Sequence, residues 1–177
     1  MGTGARVIEV SGITINGYFE KEVIELNGLT PVNTFYKYNW LKMKVKQAGI
    51  LGKNAGIITA TAATDSTITC SIQADRNKSE QAIIMMPRSL EGLIKYFYVS
   101  AKNETLGAIT YVTILTKEEG RVWKPEFEID LTSNNPVFED KNTGILPKIN
   151  PLSLMKVSAI SSDGSSEVYV NFRVKYI

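Results

Sequence analysis

The chain has 177 residues, 44% of them hydrophobic and 21% charged, which is enough to bury a core and too apolar for a disordered segment. Its 20 basic and 18 acidic residues leave a formal charge of +2, and that near-balance argues against a dedicated nucleic-acid binder. Histidine is absent, which excludes Ser–His–Asp and Cys–His catalysis and His-ligated metals, and the one cysteine, Cys70, excludes an intrachain disulfide.

In chain order, the first half reads as strands separated by turn signals. "RVIEV" and "GITI" are short and bounded by glycine. "EKEVIEL" ends at Asn27-Gly28, a strong turn dipeptide. The segment 36–47 contains "WLKMKVKQ", in which Leu41, Met43 and Val45 alternate with Lys42, Lys44 and Lys46. "AGIITATAATD" and "STITCSIQA" are rich in β-branched residues, and Cys70 sits in the second as a small core residue. "QAIIMM" stops at Pro87, which cannot donate to a sheet ladder. "SLEGLIKYFYVSA" carries two periods: Leu90, Leu93, Ile94, Phe97 and Tyr98 form a helical stripe, yet the aromatic and β-branched content favours a strand after a turn at 87–92.

"GAITYVTILT" runs into "KEEG", a turn. "KPEFEIDL" alternates Phe127, Ile129 and Leu131 with Glu126, Glu128 and Asp130. Residues 132–151 carry three of the six prolines and read as a long surface loop, in which Glu139 and Asp140 could help to hold Ca²⁺. "EVYVNFRVKYI" is the clearest strand, with Val168, Val170, Phe172, Val174 and Tyr176 on one face and Tyr169, Asn171, Arg173 and Lys175 on the other. The expectation is one all-β domain over 1–177: an antiparallel β-sandwich, jelly-roll-like, of about eight to eleven short strands with little helix.

No phosphate loop, dinucleotide fingerprint, HExxH or CxxC pair is present. Glu126, Glu128 and Asp130 share one strand face about 7 Å apart. A glycosidase needs two carboxylates in different environments, which one uniform face does not supply. The chain is therefore expected not to be an enzyme and to need no cofactor. The row Lys42, Lys44 and Lys46 has its counterpart in Glu126, Glu128 and Asp130. As neighbours in one sheet the two rows would form an internal ladder; on separate surfaces they would join two subunits. These six residues are the candidate assembly interface. Trp40 and Trp123 are candidates for stacking a ligand in a carbohydrate- or host-receptor-binding alternative. Neither nucleic acid nor a membrane is expected as a partner. No apolar run reaches the ~18 residues that span a bilayer, and "MGTGARVIEV" lacks the apolar stretch of a secretory signal.

The order of segments is also familiar. "GTGARVIEVSGI" leads into "EVIELNGLTPVNT" and "YNWLKMKVKQAGILGKNAGIITAT"; "QAIIMMPRSLEGLIKYFYVSA", "ITYVTILTKEEGRVWKPEFEIDL" and "PLSLMKVSAISSDGSSEVYVNFRVKYI" follow. This resembles a group of β-rich virion structural proteins of tailed bacteriophages, whose pattern is a "TGAR…V…G" start, an "ETI.LNG..PV.T" hairpin, an "AG..G.NAG.I" turn, a "VP.G..A" segment before an aromatic-rich strand and a terminal "LRA.SS" before the last strand. The resemblance covers most of the chain. "MMPRSLEG" departs from the tighter "VPAG" turn of the pattern, and "LMKVSAISSDGSS" matches the late motif loosely. The resemblance implies a virion component of the head-decoration, collar, adaptor or tail-associated kind. It would be assembled in the host cytoplasm and would act through contacts with itself and with other virion proteins.

Overall fold

The computed structural model of the chain describes residues 4–79, 81–103, 105–140, 146–164 and 166–177. Among them the structure is all-β and antiparallel, with no helix. Contacts gather into two compact units, Met1–Gln81 and Ala82–Ile177, a finer division than the single span read from length.

The first unit holds β1 (Ala5–Thr14), β2 (Phe19–Glu25), β3 (Tyr38–Ala48), β4 (Ile58–Thr61) and β5 (Ile68–Ile72). β1 lies between β2 and β3, and β4 pairs with β5 as a hairpin. The two glycine-bounded stretches "RVIEV" and "GITI" form one strand, because Gly12 continues β1 where no side chain fits: a Cβ there would overlap the Trp40 carbonyl oxygen of β3. Asn27-Gly28 makes the expected turn, with Gly28 at φ +57° and the Thr30 N–H donating to the Asn27 carbonyl at 3.0 Å. The core draws Ile8 and Val10 from β1, Ile24 from β2, Met43 and Val45 from β3, and Cys70 and Ile72 from β5.

The second unit holds β6 (Ile83–Met85), β7 (Gly92–Lys102), β8 (Ile109–Lys117), β9 (Lys124–Thr132), β10 (Val137–Asp140), β11 (Lys148–Ile149), β12 (Leu154–Ser161) and β13 (Glu167–Tyr176). One sheet is centred on β7, which pairs with β13 along one edge and with β10 and β11 along the other. The other sheet runs β6-β12-β8-β9. Phe97, Val99 and Ala101 of β7 pack with Val112 and Ile114 of β8, Leu131 of β9 and Met155 of β12, so the unit is a two-sheet sandwich around one core. Each large apolar side chain fully buried there contributes about 1.5–3 kcal/mol.

The 132–151 stretch, read as a loop, contains β10 and β11, and these two short strands are the excess over the expected eight to eleven. Both pair with β7, and Phe138 of β10 packs against the core. Residues 141–145 of that stretch lie outside the described residues. Asp140 is buried opposite Phe97, and no cluster of three or more Cys, Asp or Glu side chains able to hold a metal occurs among the described residues.

Candidate assembly faces

The lysine row lies on the solvent face of β3, with Lys42, Lys44 and Lys46 exposed and Met43 and Val45 buried beneath. Alternation alone dictates this, since successive side chains of a strand point to opposite faces. Across the sheet Lys42 faces Ser11 and Lys44 faces Glu9. The Glu9 carboxylate takes Lys21 of β2 at 2.8 Å and Lys46 at 3.4 Å on the same oxygen. The Lys21 ammonium, followed by that of Lys46, holds the carboxyl below its ordinary value. Lys42 and Lys44 have no carboxylate within ion-pair distance among the described residues. Beside Lys21 on β2, Phe19 and Val23 are more than half exposed.

The outer edge of β3 is covered. The Val45 N–H donates to the Asn77 carbonyl at 2.7 Å, and the Ser79 N–H donates to the Met43 carbonyl at 2.9 Å. The Ser79 hydroxyl accepts from the Met43 N–H at 2.9 Å. Asn54, from the "NAG" turn, anchors this flap: it is buried, its N–H donates to Asn77 Oδ1 at 3.2 Å, and its carbonyl accepts from the Asp75 N–H at 2.8 Å. A shallow cleft beside the flap is lined by Lys44, Asp75, Arg76, Asn77 and Lys78.

The acidic row lies on the solvent face of β9, at the edge of its sheet. Glu126, Glu128 and Asp130 are exposed, while Phe127, Ile129 and Leu131 turn inward. Glu126 accepts from the Thr116 hydroxyl at 2.9 Å and pairs with Lys124 at 3.2 Å. Glu128 faces Thr113, and Asp130 faces Tyr111. Neither acid has a cation within ion-pair distance among the described residues. Tyr111 in turn faces Ile160 of β12. Tyr111 is 46% and Ile160 70% exposed, so an apolar strip borders the acids.

The two rows are not neighbours in a sheet. The lysine row belongs to the first unit, where β3 is flanked by β1 and the 77–79 flap; the acidic row belongs to the second, where β9 is flanked by β8. An internal ladder is thereby removed as an explanation for the match.

Of the ligand-stacking candidates, Trp123 is partly buried beneath the Lys156 ammonium, 4.4 Å from the ring centroid, with Lys117 at 5.9 Å. Trp40 is partly buried and its Nε1 is inaccessible. The more exposed aromatics, Tyr18, Phe19, Phe35, Tyr111, Tyr169 and Tyr176, were not among the stacking candidates. Their positions on the polar faces of alternating strands were the signal available for Phe19, Tyr111 and Tyr169. No family model, curated protein or solved structure matches the chain.

Proposed function

We propose that this protein is a structural subunit of a tailed-bacteriophage virion, a decoration, collar, adaptor or tail-associated component with a jelly-roll-like sandwich. It works by contact with copies of itself and with neighbouring virion proteins, not by turnover. The observation that carries the assembly part is the pair of exposed, oppositely charged rows in separate units. Among the described residues, Lys42 and Lys44 have no carboxylate within ion-pair distance and Glu128 and Asp130 have no cation, at the same two-residue spacing. Opposite potentials of matched spacing steer encounter and fix register between subunits. Exposed apolar side chains on the same sheet as each row, Phe19 and Val23 two strands away from the lysines and Tyr111 and Ile160 next to the acids, supply contact area of the kind that carries interface energy. The virion part is supported by the order of turn and strand motifs along the chain. Both indoles of the ligand-binding alternative are partly buried, one of them under lysine ammoniums, which favours assembly over ligand stacking.

The test is to raise an antibody against the purified chain and label intact phage particles from a host carrying its gene. Labelling at a fixed site on every particle is expected. Particles that lack the protein, recovered from lysates in which it is abundant, would overturn the reading.

A further inference from the structure

Among the described residues, β13 pairs with β7 along one edge, and no strand lies along the other. That open edge runs the full ten residues of Glu167–Tyr176. A long open edge is a template for another strand, and proteins usually blunt one with proline, a bulge or an inward charge. β13 has no proline, bulge or inward charge; its cations, Arg173 and Lys175, stand on the exposed face and disfavour a neighbouring strand unless it presents a matching carboxylate. The irregularity near its end puts the extra residue, Lys95, on β7, since Arg173 lies opposite Tyr96 while the next residue, Val174, lies opposite Ile94. β13 therefore alternates without a break from Glu167 to Lys175, with Val168, Val170, Phe172 and Val174 over the core and the odd-numbered residues exposed; Tyr176 at its end is exposed as well.

The edge is complementary to itself. If a second β13 is laid antiparallel about a two-fold axis at Asn171, Glu167 meets Lys175 of the second copy and Tyr169 meets Arg173, each pair occurring twice. The apolar even-numbered residues meet one another, so both faces of the joined sheet keep their character. Other registers match less well. An axis at Phe172 sets Glu167 against Ile177 and leaves both cations without a carboxylate. An axis at Val170 pairs Glu167 with Arg173 but carries Lys175 past the start of the partner strand.

We propose that two copies of this chain join edge to edge through β13, antiparallel about a two-fold axis at Asn171, making one continuous sheet across the pair. This specifies one contact of the self-assembly proposed above and rests on that reading for the choice of a second copy as the occupant. The contact is isologous and closes on itself, whereas a lysine row meeting an acidic row is heterologous; together they can extend an array.

The test uses the full chain carrying Asn171→Cys, Tyr169→Cys or Arg173→Cys singly, under mild oxidation. Cys70 is buried, so the introduced thiol is the reactive one. On the axis, the two copies of residue 171 have Cβ atoms about 4.5–5.5 Å apart. The copies of residue 169, or of residue 173, lie four positions apart, about 13 Å. The expected result is a covalent dimer from Asn171→Cys at least tenfold faster than from either control, with Tyr169→Cys/Arg173→Cys together matching it. Equal rates in a chain that light scattering shows to self-associate would overturn this edge and register while leaving self-assembly standing. A chain that is monomeric at every concentration and does not cross-link would overturn both. As a second arm, Glu167→Lys or Lys175→Glu alone should weaken the dimer roughly tenfold, and the double swap should restore it. A double swap as weak as either single variant would also overturn the register.

Discussion

Reversing the first two members of the lysine row, with Lys42→Glu and Lys44→Glu, separates assembly from folding. Neither lysine holds an ion pair within the chain among the described residues, and both are exposed, so their loss removes no folding contact of consequence. The one intrachain cost is at position 44, where the new carboxylate stands opposite Glu9, itself compensated by Lys21 and Lys46. A like-charge cross-strand pair of this kind costs at most ~1 kcal/mol. At the interface the change is larger. Two attractive contacts are lost and two repulsive ones gained, each worth about 0.5–1 kcal/mol at an exposed site, for a total of about 2–4 kcal/mol. That corresponds to an association roughly 30- to 800-fold weaker. Sedimentation velocity at about 50 mM salt reads this loss, and a thermal melt of the same sample reads the fold. Restoring the match with Glu128→Lys and Asp130→Lys in the same chain should recover association. Lys42→Gln/Lys44→Gln should fall between wild type and the reversed variant. A reversed row that assembles as wild type does, with an unchanged melt, would refute the assignment of these lysines.

Gly12→Ala should destabilise the first unit by about 3 kcal/mol, because the added methyl meets backbone atoms of Trp40 and Leu41 that cannot turn aside. For a unit of this size that lowers the midpoint by roughly 12–24 °C in a calorimetric scan, and a shift under about 2 °C would contradict the close β1–β3 approach. Tyr38 should resist ionisation: burial, and then the Glu22 carboxylate, push its phenol well above the ordinary 10.0. A raised folded value means that its stabilisation is complete below about pH 10 and is lost as pH rises beyond it. In an ultraviolet titration of the eight tyrosines, Tyr38 should ionise last, and Tyr38→Phe should remove that final step, while Tyr176, raised by burial alone, should also lag the ordinary value. Glu9 works in the opposite direction. Its lowered value makes its contribution complete above the ordinary 4.5 and lost as pH falls below it, so Glu9→Gln should flatten the acid limb of the stability profile near that pH.

Strict alternation made β3, β9 and β13 legible from sequence, including which face of each meets the core. β7 shows why a period can mislead. The extra residue at Lys95 changes the inward set, so that Ile94 and then Phe97, Val99 and Ala101 are buried. The three-residue step from Ile94 to Phe97 imitates a helical stripe inside a strand. β10 and β11 were hidden because four and two residues among prolines and asparagines carry no periodic signal. Their strand state comes from pairing with the central β7, a context that local propensity does not contain. The charges of the two candidate rows were legible, but their placement in separate units was not. Whether two strands become neighbours depends on topology, and β3 takes β1 and the 77–79 flap while β9 takes β8.

The most direct measurement is the molar mass of the purified chain by multi-angle light scattering, across concentration at low and high salt. Assembly through matched charges predicts a mass that climbs above the monomer with concentration in dilute salt and falls back towards it near 1 M, where screening acts over about 3 Å. A monomer mass at every concentration and every salt would contradict it.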